Sequence, residues 1–231
     1  MRWGILALAA ICAVVLFGGL DTIGLVDVRE ARDAQVAREL QGTNEIFTPT
    51  ISRKPLFEKP VFAYAPDLAA RVSSGTPALR SRQLRAIAAL LLVLLTASIG
   101  AGHFGARAGL WSALVLATSF AVPLAARTDG TQVLASLLGW LGCAGLADGM
   151  FGRRAGRGMR LVVAYGALAA AAISCGPLPA LWPLMGAALY LLLTRTPGDW
   201  KRVAPLAGIA LIAVVSLPWY GAMFERHQVA A

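Results

Sequence analysis

The sequence is poor in charge. Only 14% of its 231 residues are Asp, Glu, Lys or Arg, where a soluble globular domain carries about a quarter. Hydrophobic residues make up 58%, and a water-soluble chain of this length could not hide so much apolar surface. Lipid is therefore the solvent for most of it. Histidine is nearly absent: His103 and His227 both read as loop residues, which leaves haem and redox chemistry without ligands. Cysteine is scarce as well. Cys12, Cys143 and Cys175 fall in apolar stretches with no disulfide or zinc spacing, and read as small apolar side chains. Acidic residues are outnumbered, 12 against 21 Lys+Arg, for a net charge of +9. That surplus is what cytoplasmic loops of membrane proteins retain, and no nucleic-acid partner is expected from it. Ionisable groups are rarest inside the apolar runs, where only Asp148 and His103 come close. A transporter or channel would show more intramembrane charge, and Asp148 beside Arg153 and Arg154 reads as an interfacial ion pair.

A membrane-spanning helix needs about 20 mostly apolar residues. Residues 3–20, led by Arg2, form the first such run, and with no A-x-A site after it the run reads as a retained anchor. Further runs lie at 84–102, 108–126, 132–150, 161–175, 178–193 and 203–221. The expected organisation is a first transmembrane helix (1–20), an outer loop (21–83), a bundle of six transmembrane helices (84–221) and an outer tail (222–231). The fold class is thus an all-α polytopic membrane protein with about seven transmembrane helices. Arg153, Arg154, Arg157 and Arg160 crowd one short loop, and Arg195, Lys201 and Arg202 another. The positive-inside rule then sets the amino terminus in the cytoplasm and the carboxyl terminus outside, in the periplasm of a bacterial inner membrane.

The 21–83 segment holds most of the acids. Asp27 suits an N-cap, with Glu30 completing a capping box, for a helix to about Gln41 that Gly42 ends. Val36, Ala37 and Leu40 form its apolar stripe, with Arg32, Asp33, Gln35, Arg38 and Glu39 around it. Such a helix is expected along the membrane interface. Three prolines between Pro49 and Pro60 predict an extended loop. Its Arg53, Lys54 and Lys59 lie beside Leu56, Phe57, Val61 and Phe62, a mixture suited to an anionic lipid head group or to ordinary head-group anchoring.

Taken in order, Glu30-Ala31-Arg32, Val36-Ala37-Arg38-Glu39-Leu40 and Phe57-Glu58-Lys59-Pro60 resemble the first outer loop of the ArnT-like, protein-mannosyltransferase-related membrane glycosyltransferases. Ala126-Arg127-Thr128-Asp129, Ser174-Cys175-Gly176-Pro177-Leu178 and Leu217-Pro218-Trp219-Tyr220 continue the likeness. The resemblance implies a GT-C fold and transfer of a sugar from a polyprenyl-phosphate donor to an acceptor, often lipid A or a protein, at the outer face. It implies acids around the reacting centre, often with a divalent metal, and basic residues on the donor phosphate. Carried over by position, Arg32 and Lys59 would hold phosphate, with Arg53 and Lys54 as further lipid contacts. Glu30 would support the first loop, and Asp129 would be the second-loop acid and possible metal ligand.

Three departures bear on catalysis. Where the family reads Asp-Glu, this chain has Arg29-Glu30, and a guanidinium neither accepts a proton nor binds a metal. Asp27 either caps the helix or replaces that acid by a register shift. The family's Lys-Gly-Pro is Cys175-Gly176-Pro177 here, removing another phosphate-binding charge. The chain also resembles only the amino-terminal half of the family fold. Two readings follow: a short GT-C transferase, or a non-catalytic relative serving as a subunit of a larger membrane complex that still binds a polyprenyl phosphate or anionic phospholipid.

Overall fold

The computed structural model describes residues 2–21, 28–42, 47–72, 76–128, 130–152, 156–194, 200 and 202–228. Two compact units result, residues 1–137 and 138–231. The described elements are helical apart from one short hairpin.

In the first unit, α1 (Arg2–Cys12) continues as a π-helical turn, Ala13–Phe17. The segment joining it to the next apolar helix contributes α2 (Val28–Gly42), an antiparallel hairpin of β1 (Thr50–Ile51) and β2 (Lys54–Pro55), a 3-10 turn (Val61–Tyr64) and α3 (Ala65–Val72). The long α4 (Pro77–Phe104) starts where extended Thr76 precedes a proline, a ring already shaped for a first helical turn and lacking only an N–H the helix does not need. It stops at Gly105, whose φ of +91° suits glycine. Small side chains let its neighbours close in. Ala86, Ala89 and Val93 of α4 pack with Ala113 and Ala117 of α5 (Ala106–Thr118) and with Leu8, Cys12 and Leu16. At Gly100 a Cβ would stand 2.9 Å from the Gly109 Cα, so the α4–α5 crossing depends on two glycines.

The apolar run expected as one span at 108–126 is instead broken. After α5 the chain bends by 52° into α6 (Ala121–Thr128). Pro123 explains the position of the break, because without an N–H it belongs in a first turn and not in a helix interior. The boundary between the units falls within α7 (Gly130–Phe151).

In the second unit, α8 (Arg157–Cys175), α9 (Leu178–Thr194) and α10 (Pro205–Gln228) pack with Leu146 of α7 around Tyr165, Leu168, Ala172, Ala180 and Leu191. The Tyr165 hydroxyl donates to the Val203 carbonyl at 2.9 Å, and the Tyr220 hydroxyl to that of Ala172 at 2.9 Å. Gly208 leaves the space that the Tyr165 ring fills.

Among the described residues four helices are long and apolar enough to cross a membrane, the bent α5–α6 pair makes a fifth if taken as one span, and Trp3–Phe17 and Leu178–Thr194 are shorter apolar helices. Each apolar run of the sequence lies on one of these. Their outward side chains are apolar too: Trp111, Val115, Leu193 and Leu206 are all exposed. In water such faces would be costly; in a bilayer they meet their own kind. This is an all-α polytopic membrane protein.

Candidate functional site

The segment between α1 and α4 is organised by paired charges. α2 turns Val36, Ala37 and Leu40 inward, all at most 3% exposed, so its apolar stripe packs on the segment's own elements. Asp33, placed by its neighbours in sequence on the polar surface, is buried. It accepts from the Lys59 ammonium at 3.2 Å. Burial pushes its carboxyl above the usual range, and the Lys59 charge opposes that shift. Burial also raises the Tyr64 phenol, with the Asp33 charge adding to it. The residue before it on α2, Arg32, reaches Glu58 at 2.8 Å, with both side chains about half exposed. Two basic residues that the resemblance assigns to phosphate are thus each matched to an acid, and both pairs tie α2 to the stretch before Pro60.

Deeper in, Glu30 meets Arg82 edge to edge. Nε and Nη2 donate to its two oxygens at 2.7 Å each, and Nη1 donates to the Leu20 carbonyl at 2.8 Å. One helical turn further along α4, Arg85 places Nη2 within 2.9 and 3.0 Å of the two Asp67 oxygens, and Nη1 at 3.8 Å from Glu30. Ser81 Oγ donates to Asp67 at 2.7 Å. Glu30, Asp67, Arg82 and Arg85 are all more than nine-tenths buried. The set is electrically balanced, which is the condition for keeping charge inside a protein. Arg85 still has its Nε and Nη1 without hydrogen-bond partners, and its side-chain stem lies against Gly130, where a Cβ would stand 2.6 Å from Cγ. The start of α7 is therefore seated on this network.

Glu39 has a different task. Its Oε1 accepts from Gln35 Nε2 and the Ser52 amide, and its Oε2 from Thr50 Oγ1 and the Arg53 amide, at 2.8–3.1 Å. These bonds, that of Gln35 first and the Arg53 amide next, hold its carboxyl at about 2. The hairpin turn is fastened to α2 through it. At the far end of the segment, Arg127 of α6 donates to the carbonyls of Pro123, Val15 and Gly18; the last two are acceptors freed where the first helix ends.

Of the residues singled out in the sequence, Glu30, Arg32 and Lys59 lie within this charge-paired segment. Arg53 and Lys54 sit exposed on the hairpin, with no hydrogen bond or ion pair to those three. Asp27 and Asp129 lie outside the described residues, as do Arg153 and Arg154; Asp148 comes to 3.9 Å from Arg160. Arg29 stands exposed on the first turn of α2, and Cys175, half-buried, ends α8. Both Glu30 oxygens are taken by Arg82, and among the described residues no three His, Cys, Asp or Glu side chains converge. The described residues do not form a metal site.

Arg82, Arg85, Asp67 and Ser81 were not singled out in the sequence, where 84 is taken as the start of the span. A signal was present: Arg82 and Arg85 share a helical face with Ala86, Ala89 and Val93, so the buried face begins before the apolar run does.

The second unit holds a cavity of about 640 Å³ between α8, α9 and α10. Leu184, Ile212, Tyr165 and Tyr220 are among its lining residues, and Ser216, whose buried Oγ has no partner, is its one hydroxyl from serine. Among the described residues no charged side chain lines it, and that lining suits hydrocarbon.

The chain is ArnT-like in fold. It matches ArnT from Cupriavidus metallidurans in the apo state with a TM-score of 0.84, and the same protein bound to undecaprenyl phosphate with 0.85. In each case identity is 25% and 97% of this chain is covered. The chain spans 42% of the length of those ArnT structures. No family model and no curated protein matches the sequence.

Proposed function

We propose that this chain is a GT-C-like integral membrane glycosyltransferase that takes a sugar from a polyprenyl-phosphate donor at the outer face of the bacterial inner membrane. The observation that carries the reading is the fold shared, over 97% of the chain, with an ArnT structure bound to undecaprenyl phosphate. In this reading the donor phosphate exchanges places with the carboxylates that now face Arg32 and Lys59. The exposed Arg32–Glu58 pair is cheap to open, since such surface pairs contribute about 0–1 kcal/mol. The Lys59–Asp33 pair, with Asp33 buried, is harder to open and sets the position of the site. As an acceptor hydroxyl oxygen bonds to the sugar anomeric carbon, the bond from that carbon to the phosphate oxygen breaks and its electron pair stays on the phosphate. The two cations stabilise that growing charge. The acceptor proton passes to the Asp129 carboxylate. Glu30 supports the loop from behind by fixing Arg82. A divalent metal, if used, is assigned to Asp129.

A specific observation also favours the second reading, a non-catalytic subunit. Arg32 and Lys59 are already neutralised by Glu58 and Asp33, and Arg29 stands where the family has an acid. The test is sugar transfer from polyprenyl-phosphate donors in membranes carrying this chain. The catalytic reading expects Asp129→Asn to abolish transfer at unchanged expression. Transfer that is indifferent to Asp129→Asn, together with purification at fixed stoichiometry with other membrane proteins, would establish the subunit instead.

A further inference from the structure

Seven of the basic side chains between the start of α2 and the first turns of α4 fall into two sets. Arg32, Lys59, Arg82 and Arg85 each face a carboxylate. Arg38, Arg53 and Lys54 are exposed, and among the described residues none of the three meets one. The reason lies in Glu39. It is the acid next to Arg38 on α2 and beside the hairpin turn, and it spends both oxygens on Gln35, Thr50 and the Ser52 and Arg53 amides. Those bonds hold a turn whose two central residues, Ser52 and Arg53, have φ of 52° and 62°. Asn-Gly is the usual occupant of such a turn; here the turn carries an arginine at its tip and is fixed in place by the very carboxylate that could have neutralised it. Close by in the chain, Phe57 and Phe62 are 55% and 45% exposed.

Exposed cations on α2 and on a fixed turn, followed by exposed aromatic rings, match a surface of phosphate head groups with hydrocarbon beneath it. A single soluble anion would call for donors converging on one point, whereas these three side chains extend from a helix and from a hairpin. The segment is also tethered at both ends to apolar helices, α1 and α4. We infer that Arg38, Arg53 and Lys54 form a docking surface for anionic phospholipid head groups of the surrounding bilayer. This surface is separate from the Arg32 and Lys59 pairs and does not rest on the sugar-transfer reading.

The test uses the full chain in nanodiscs of phosphatidylcholine doped with phosphatidylglycerol, with retained lipids counted by native mass spectrometry and hydrogen exchange followed over residues 50–54. Each basic residue near an anionic surface contributes about a fivefold change in affinity, so the Arg38→Gln/Arg53→Gln/Lys54→Gln variant is expected to lose phosphatidylglycerol retention on the order of a hundredfold. Its phosphatidylcholine content and melting temperature are expected to match wild type. The charge-conserving Arg38→Lys/Arg53→Lys variant should retain the lipid. Equal phosphatidylglycerol retention by wild type and the Gln variant would overturn the inference. So would inorganic phosphate at low millimolar concentration displacing the lipid, since the surface would then be a soluble-anion site.

Discussion

Glu30 and Arg82, 52 residues apart in sequence, share two parallel hydrogen bonds of 2.7 Å in a buried site. This pair joins the start of α2 to the start of α4, and Arg85 adds Asp67 of α3 to the same network. Removing one member leaves the other charge buried and uncompensated, which costs about 3–5 kcal/mol. Glu30→Gln is therefore expected to lower thermal stability in detergent sharply. A Glu30→Met/Arg82→Met variant should cost less than Glu30→Gln alone. Strictly additive losses in a double-mutant cycle would show that the two side chains are not coupled as described.

The Glu39 carboxyl is held at about 2, below its ordinary value of 4.5. A group whose folded-state value is depressed stabilises the fold above the unfolded value, and that contribution is lost as pH falls through the folded one. Protection of the Ser52 and Arg53 amides from hydrogen exchange, corrected for intrinsic rate, is expected to be constant above pH 5. It should decline between pH 4.5 and about 2. Glu39→Gln should remove that pH dependence; a wild-type profile that stays flat to pH 2 would contradict the assignment.

At Gly130 an added methyl group would meet the Arg85 stem at 2.6–2.8 Å, and Asp67 holds that stem in place. Gly130→Ala is expected to destabilise by about 1–3 kcal/mol through overpacking. In the second unit Gly208→Ala would strike the Tyr165 ring, which its hydroxyl bond to Val203 holds in position. Pairing Gly208→Ala with Tyr165→Leu should recover stability in a melting experiment, and no recovery would place the clash elsewhere.

Arg127 supplies donors to two carbonyls at the end of the first helix, Val15 and Gly18. Arg127→Gln, too short to reach them, is expected to cost about 1–3 kcal/mol. Faster exchange and earlier proteolysis at residues 13–18 would report the loss; unchanged protection there would refute the capping role.

The apolar runs told where the membrane helices lie because burial in lipid depends on composition summed over about 20 residues, a property of consecutive side chains. The break at Ser119–Phe120 was not read from composition, although Pro123 marks it: the run on either side is apolar, and only backbone hydrogen bonding decides that one span becomes two helices. The same limit applies to the site. Glu30, Arg32, Glu58 and Lys59 were visible through ordered motifs, but the burial of Asp33 against Lys59 was not. Arg82 and Arg85 stood at the head of an apolar run where arginines ordinarily face head groups, and nothing local says that they turn inward.

What the sequence determined by itself was therefore the solvent and the class: too little charge for water, too many apolar runs for one anchor, and a loop segment rich in acids and bases between the first two of them. What the tertiary structure decided was which charge meets which. Side-chain pairing across 18 to 52 residues of separation depends on how α2, α3 and α4 are brought together, as Arg85 with Asp67 and Arg82 with Glu30 show. A buried charge is tolerated only where that packing delivers its partner. For the same reason Arg38, Arg53 and Lys54 remain exposed: Glu39, the acid beside Arg38 on α2, is engaged in holding the hairpin turn.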